Sequence, residues 1–366
     1  MASADVTKTA VPKVRSRKDG AAVPLDEFDK RLLNTMQGRF PIEVRPYAAV
    51  AEELGAPEDR VIARVGELVQ QRIIRQVTPI FDTRAFGYAS MLVAAKVDAE
   101  HPWRAAKVVN EHPGVSHNYL RNHEFNMWFT IAVEPDSKLG LEGTLDVLQR
   151  ETGAESVRML PTLKLFKIRM DLEMEAGTDA LASASAEAVE PAETEPQPYD
   201  EHDKAVVRAT QGDLPIEREP YARAAAELGM TQEQVVDHLR GMVDRRLLRR
   251  VAAILFHRRA GFSANGMGVW KVPEDRVLEL GGKMAAFRGI SHCYQRPTYA
   301  DWPYQLFTMA HGRSKEECDA ILDAIEQQLG CVEARATLYS STEFKKIRLL
   351  YFTEDFKRWE REHGGV

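Results

Sequence analysis

The stretch "GVSHNYLR", Gly114 to Arg121, decides how this chain is read, because it returns as "GISHCYQR" from Gly289 to Arg296. Gly, an aliphatic residue, Ser, His, Tyr and Arg recur in the same order at the same spacing. Outward from these strands the match continues: Asp26 with Asp200, Gly38 with Gly212, Pro46-Tyr47 with Pro220-Tyr221, Leu54-Gly55 with Leu228-Gly229, and Arg72, Arg75 and Gly87 with Arg246, Arg249 and Gly261, all at one offset. Such a period is far longer than a solenoid unit, so a whole domain pair is duplicated.

Between the copies lies "AGTDALASASAEAVEPAETEPQP", rich in Ala, Glu and Pro. It cannot bury enough apolar surface to offset its ordering entropy, which predicts a flexible linker over 173–198. Residues 1–24 carry Lys8, Lys13, Arg15, Arg17 and Lys18 but lack the apolar segment of a secretory signal, and read as a disordered tail. Residues 356–366 read as a C-terminal tail.

Each copy divides in two. In residues 25–82, "LDEFDKRLLNTM" has apolar residues at helical spacing, and "PYAAVAEELG" is a short helix closed by Gly55. A third helix follows, with Ile62, Val65, Leu68 and Val69 along one side, then a strand pair: a winged helix-turn-helix. Residues 199–256 repeat it. Residues 83–172 read as strand, helix, two strands, helix and a final strand, "SVRMLPTLKLFKI", the ferredoxin-like βαββαβ order; residues 257–355 repeat it. The expected fold class is therefore α+β, a tandem duplication of winged helix-turn-helix plus ferredoxin-like domains. The helices cover one sheet face and leave the other available for pairing.

Composition narrows the function. Hydrophobic content of 44% and charged content of 28% are ordinary for a soluble globular protein of 366 residues, and no apolar run is long enough to span a membrane. Three cysteines without a Cys-x-x-Cys pair fit a reducing cytoplasm and argue against structural zinc. No Gly-x-Gly-x-x-Gly, Walker loop, His-Glu-x-x-His or Gly-x-Ser-x-Gly occurs, so nucleotide-dependent and serine-nucleophile chemistry have no support. The net charge of −6 gives no prior for nucleic acid. Both third helices balance acids (Glu58, Asp59, Glu67; Glu233, Asp237, Asp244) against arginines, whereas a DNA reader brings excess positive charge. They read as a scaffold.

Alternation on a strand projects His117, Tyr119 and Arg121 to one face, and likewise His292, Tyr294 and Arg296. Such a polar, cationic and aromatic set meets a ligand or water, or else sits satisfied at a domain interface. Imidazole moves protons near neutral pH or ligates metal, phenol donates a hydrogen bond, and guanidinium grips carboxylates. Together they suit a large, flat, polycarboxylated ligand able to hold iron. Downstream, copy one adds His123, Phe125 and Trp128. Copy two inserts "PTYADWPYQ", with Tyr299, Trp302 and Tyr304, either to stack on the ligand or to pack a core.

The helix-turn-helix, the βαββαβ order and the joining stretch "GAPEDRVIARVGELVQQRIIRQVTPIFDTRAFGY" resemble the Lrp/AsnC family. More specifically, "HPGVSHNYLRNHEFNMWFT" and "GISHCYQRPTYADWPYQLFTMAHG" are similar to the two subunits of the siroheme decarboxylases, Lrp-like enzymes of alternative heme and heme d1 synthesis. The resemblance runs from Leu25 to about Phe352 apart from the linker. It implies loss of two acetate carboxyl groups from siroheme, with no separate cofactor required and the iron belonging to the substrate; a bound heme or product fits the same site. His117 and His292 would deliver protons, one of them alternatively contacting the iron. Tyr119 and Tyr294 would assist, with His123 a further candidate in copy one. Arg121 and Arg296 would hold carboxylates that are retained, since a clamp on the reacting group stabilises the ground state. Trp128, Trp302 and Tyr304 would line the substrate, and no resident metal is implied. The halves would pack as an internal pseudo-dimer through their open sheet faces, with DNA and membrane not expected as partners and further homo-oligomerisation left open. The competing readings are an Lrp-type regulator sensing heme or an amino acid, and a tetrapyrrole-binding chaperone.

Overall fold

A computed structural model describes residues 25–168, 195–256 and 264–364. The expected N-terminal tail and nearly all of the expected linker lie outside them. The first half runs α1 (Glu27–Gly38), α2 (Pro46–Leu54), α3 (Glu58–Gln70), β1 (Ile74–Phe81), β2 (Ala89–Lys96), α4 (Pro102–Glu111), β3 (Val115–Arg121), β4 (Met127–Val133), α5 (Gly140–Thr152), β5 (Ser156–Leu160) and β6 (Lys164–Ile168). The second repeats this as α6 (Glu201–Thr210), α7 (Ala222–Leu228), α8 (Gln232–Asp244), β7 (Leu248–Leu255), β8 (Ala264–Lys271), α9 (Val277–Ala285), β9 (Ile290–Gln295), β10 (Leu306–Gly312), α10 (Lys315–Leu329), β11 (Ala334–Leu338) and β12 (Ser340–Lys346), and ends in α11 (Glu354–His363).

The repeated residues do local work. Asp26 and Asp200 cap α1 and α6, each accepting from the backbone N–H three residues on at 2.8 Å. Gly55 and Gly229 close α2 and α7 at φ +66° and +64°, the left-handed region glycine enters without strain. Helix α3 buries Val61, Val65 and Leu68; Ile62 and Val69, expected on that side, are only partly buried at its margin.

Two expectations about strands change. The strand pair placed within each copy is made between copies: β1 and β7 form one two-stranded antiparallel sheet. The single final strand is two strands. In copy one it breaks at Pro161, which cannot continue a ladder of N–H donors, and the chain crosses to the other half. The two large sheets consequently run β12-β3-β4-β2-β5 and β11-β8-β10-β9-β6. Each half donates its last strand to its partner's sheet, beside the strand that carries His, Tyr and Arg.

The expected C-terminal tail is also replaced, by α11. This helix buries Phe356 and Trp359, sets Trp359 4.4 Å from the His112 ring, and has Glu360 accept from Ser137 Oγ at 2.7 Å. One core joins the helix-turn-helix regions of both copies, one lies under the helices of each sheet, and a fourth lies between the sheets. Among the described residues no helix is long and apolar enough to cross a membrane.

Candidate functional site

Both repeated strands carry a bulge at the same serine. The register steps from Val115 opposite Ile131 to His117 opposite Thr130, and from His292 opposite Met309 to Ile290 opposite Ala310, leaving Ser116 and Ser291 as the extra residues. A bulge re-aims side chains, and here it turns the serine hydroxyl onto the next imidazole. Ser116 Oγ is 3.0 Å from His117 Nδ1, and Ser291 Oγ is 2.7 Å from His292 Nδ1. Beyond the bulge alternation holds, and each His ring lies tilted beside its Tyr ring at 6.2 and 6.0 Å.

The two faces differ in what the exchanged strand brings. Opposite His117 and Tyr119 stand Lys346 and Glu343 of β12, both exposed. Burial, helped by the positive charges of Lys346 and Arg75 and opposed by Glu343, holds His117 below the ordinary imidazole range. Opposite Tyr294 stands Leu165 of β6, which is buried. His292 is lowered by burial alone, and burial raises the Tyr294 phenol.

The serines also lead to different groups. Ser116 Oγ meets Thr130 Oγ1 at 2.8 Å. Ser291 Oγ meets His311 Nε2 at 2.5 Å, and His311 Nδ1 meets Asn265 Oδ1 at 2.8 Å. His311 is a site residue that the sequence reading missed. Its signal was present in "FTMAHG", on the strand paired with β9, but only the register and the bulge bring it to Ser291.

The arginines turn inward and across. Arg121 Nη1 donates to Leu338 O of the second half at 3.2 Å, and Arg296 Nη1 donates to Leu160 O of the first. Each guanidinium lies over an aromatic ring, Trp128 at 5.6 Å and Tyr294 at 5.0 Å, and burial lowers each pKa to about 10. Both Nε atoms are buried without a hydrogen-bond partner among the described residues. Because β9 lies across from β5 and β3 from β11, the two triplets sit at opposite margins of the sheet sandwich. Each triplet is thus completed by strands of the other half.

The aromatic residues expected against the ligand have another place. Trp128 and Trp302 are 1% and 0% exposed in the core between the sheets, because that core needs large apolar groups where the two open faces meet. Trp302 touches Trp128 at 5.3 Å and Phe125 at 5.4 Å. The insertion that carries it is clasped by copy one: Arg158 grips Asp301 with two 2.8 Å bonds, Ser156 donates to Asp301, and Tyr299 donates to Met159 O. Tyr304 is half-buried at the rim of this core, 6.3 Å from His123. His123 itself sits at the β3–β4 turn, the far end of the strand from His117, with its ring 5.3 Å from Trp302. The different flanks of the repeated motifs therefore meet each other.

The third helix of the first helix-turn-helix is tied down at its N-terminal end. Arg218 of the second half binds Asp59 at 2.7 Å, and Arg45 pairs with Glu58. Arg64 binds Asp29 on α1. Glu58, Asp59 and Arg64 of this helix are thus paired within the protein.

Duplicated helix-turn-helix and open-faced sheet domains define the class of Lrp/AsnC-like proteins. The family model of the AsnC-like ligand binding domain matches residues 85–167 and 259–345, and the siroheme decarboxylase NirDL-like HTH domain matches residues 29–75 and 203–249. A siroheme decarboxylase of Hydrogenobacter thermophilus is 39% identical over 92% of this chain and 98% of its own length. The siroheme decarboxylase NirDL subunit of Paracoccus denitrificans is 32% identical over 91% and 96%. The chain belongs to the siroheme decarboxylase family. Crystal structures of the siroheme decarboxylase NirDL, free and in complex with an iron-uroporphyrin III analogue, both match at a TM-score of 0.74, with 34% and 33% identity over 93% and 92% of this chain and 99% of theirs. In Desulfovibrio desulfuricans the alpha and beta subunits of siroheme decarboxylase each match under half of this chain, 46% and 42%.

Proposed function

We propose that this chain removes two acetate carboxyl groups from siroheme to give didecarboxysiroheme and carbon dioxide, in alternative heme or heme d1 synthesis. The observation that carries the reading is its near full-length match to relatives named siroheme decarboxylase, combined with two His-Tyr-Arg faces on strands that bracket the inter-half core. Loss of carbon dioxide leaves an electron pair on the former acetate carbon, which the conjugated macrocycle delocalises and an acid must protonate. His117 and His292 are the acids in this reading, because each stands beside a Tyr on its strand and imidazole can pass a proton; burial lowers both from the ordinary imidazole range, so each needs resupply. Tyr119 and Tyr294 orient the substrate beside them. The unpartnered Nε atoms of Arg121 and Arg296 are free to hold carboxylates that stay on the ring, and a buried guanidinium without a carboxylate favours such an anion. Tyr304 and His123 are kept as rim contacts. The chemistry needs no separate organic cofactor, since the substrate supplies the electron sink and carries the iron. The reading places the chain in a reducing cytoplasm, where Cys293, Cys318 and Cys331 remain free thiols.

Anaerobic incubation of purified protein with siroheme, followed by mass analysis, tests this: loss of two carboxyl groups is expected. Bound siroheme returned unchanged would leave the chaperone reading instead. The regulator reading has the helix-turn-helix in its favour, but the internal pairing of Glu58, Asp59 and Arg64 opposes it. A gel shift on its own upstream region at physiological salt should show no specific complex.

A further inference from the structure

We propose that Ser291 and His311 form a proton relay that refills His292, so that the second half delivers protons by a route the first half lacks. The inference rests on the decarboxylase reading. Four groups lie in line: His292 Nδ1, Ser291 Oγ, His311 Nε2 and, behind it, Asn265 Oδ1 on His311 Nδ1, at 2.7, 2.5 and 2.8 Å. A serine hydroxyl gives one proton while accepting another, so a chain of imidazole, hydroxyl and imidazole has two consistent states.

In the first state His311 is an imidazolium. Its Nδ1–H donates to Asn265, its Nε2–H donates to Ser291 Oγ, Ser291 donates to His292 Nδ1, and His292 carries its proton on Nε2. The carbon–carbon bond to the leaving carboxylate then breaks, and carbon dioxide departs. The electron pair stays on the methylene carbon and forms a C–H bond with the proton from His292 Nε2. As that proton leaves, His292 Nδ1 takes the hydroxyl proton of Ser291, and Ser291 takes the Nε2 proton of His311. In the second state His311 is neutral, with Nδ1–H still on Asn265, and His292 is neutral with a bare Nε2. One proton has moved from His311 to carbon, and nothing is oxidised or reduced.

This arrangement answers a difficulty in using His292 alone. Its partial burial disfavours the imidazolium, yet it must give up a proton at every turnover. Through the relay His292 stays neutral throughout, and the charge is held on His311, whose Nδ1 bond to Asn265 is exposed to solvent while the Ser291 bonds are part-buried. The first half has the same serine on the same bulge, but its chain runs from Ser116 to the Thr130 hydroxyl. A threonine hydroxyl does not store a proton near neutral pH, so His117 has no comparable supply through Ser116.

His311 and Ser291 are therefore positioning residues acting through His292, and the full-length fused chain tests them. His311→Thr installs the first half's group, His311→Gln keeps a hydrogen-bonding partner for Ser291 without a transferable proton, and Ser291→Ala cuts the chain. Each variant is expected to lower kcat about 10- to 100-fold, while siroheme affinity read from its absorption titration stays within twofold. In mixtures of light and heavy water, wild type should show more than one proton in flight, and His311→Gln only one. A His311→Gln enzyme at wild-type kcat, or with an unchanged isotope response, overturns the relay and leaves the decarboxylase reading standing. Wild-type protein that binds siroheme without releasing carbon dioxide overturns both.

Discussion

Trp302 separates two accounts of the aromatic insertion. If it stacks on the substrate, shortening it weakens siroheme binding and leaves the fold alone; if it is the keystone between the sheets, the reverse holds. The structure gives it no exposed surface and surrounds it with Trp128, Phe125, His123, Tyr304 and Phe307 at centroid distances of 5.0–6.1 Å. Trp302→Ala leaves a void lined by these rings, and its collapse is limited because Trp128 and Phe307 are held on β4 and β10. A loss of about 4 kcal/mol follows for such a truncation, which is roughly a thousandfold in the folding equilibrium. Trp302→Phe is a sharper probe. Trp302 Nε1 is buried without a partner among the described residues, so removing it recovers an unmet donor worth about 1–3 kcal/mol, against a smaller void. The net change should stay within about 1 kcal/mol. Urea unfolding with the slope held common to all variants reads these values. Trp302→Ala at wild-type stability, together with weakened siroheme titration, would refute the assignment to the core.

Three other outcomes are expected. Burial raises Glu134 to about 7, with Tyr88 donating to it at 3.0 Å; the folded state therefore holds this proton more tightly than the unfolded chain. Its contribution is complete below the ordinary carboxyl range and is lost as pH rises through about 7, so Glu134→Gln should flatten the fall in stability between pH 5 and 8 by about 2 kcal/mol. Lys346→Gln removes a cation directly opposite His117; the siroheme KM should rise about threefold to tenfold and the His117 pKa, read by NMR, should move up, since Lys346 now lowers it. Separate chains cut within residues 173–194 should co-purify as a pair and fail to stay soluble singly, because β6 and β12 each complete the other half's sheet. A half that is monomeric and folded on its own would contradict the strand exchange.

The duplication, the domain types and the common face of each triplet were legible because they rest on periodicity and spacing, which survive in a linear text. Gly55 as the end of α2 was legible for the same local reason. What escaped depends on contacts distant in sequence. Pro161 marked a break in the last strand, but nothing local says that Lys164–Ile168 pairs with β9 rather than turning back. The C-terminal residues are strongly charged and read as a tail, yet Phe356 and Trp359 at helical spacing are buried, with Trp359 against His112 of the first half. Trp128 and Trp302 carry no local sign that distinguishes a ligand face from a sheet-to-sheet core. His311 lay in a quoted motif, but strict alternation gave no reason to join it to Ser291, because the bulge that joins them has no signature in the residues themselves.

The strand exchange also explains how identical triplets come to differ. The neighbour of each triplet belongs to the opposite copy, so a substitution in one half alters the reactive face of the other. Glu343 stands against Tyr119 where Leu165 stands against Tyr294, and the insertion at 297–305 closes over the turn that carries His123. A symmetric homodimer of either half would carry two equal faces. Two unlike halves, whether fused or separate, can set a charged pair, Lys346 and Glu343, against one face and give the other a serine–histidine chain. On this geometry His117→Ala and His292→Ala should therefore lose activity unequally, with the larger loss in kcat at His292 and the larger share of any binding defect at His117.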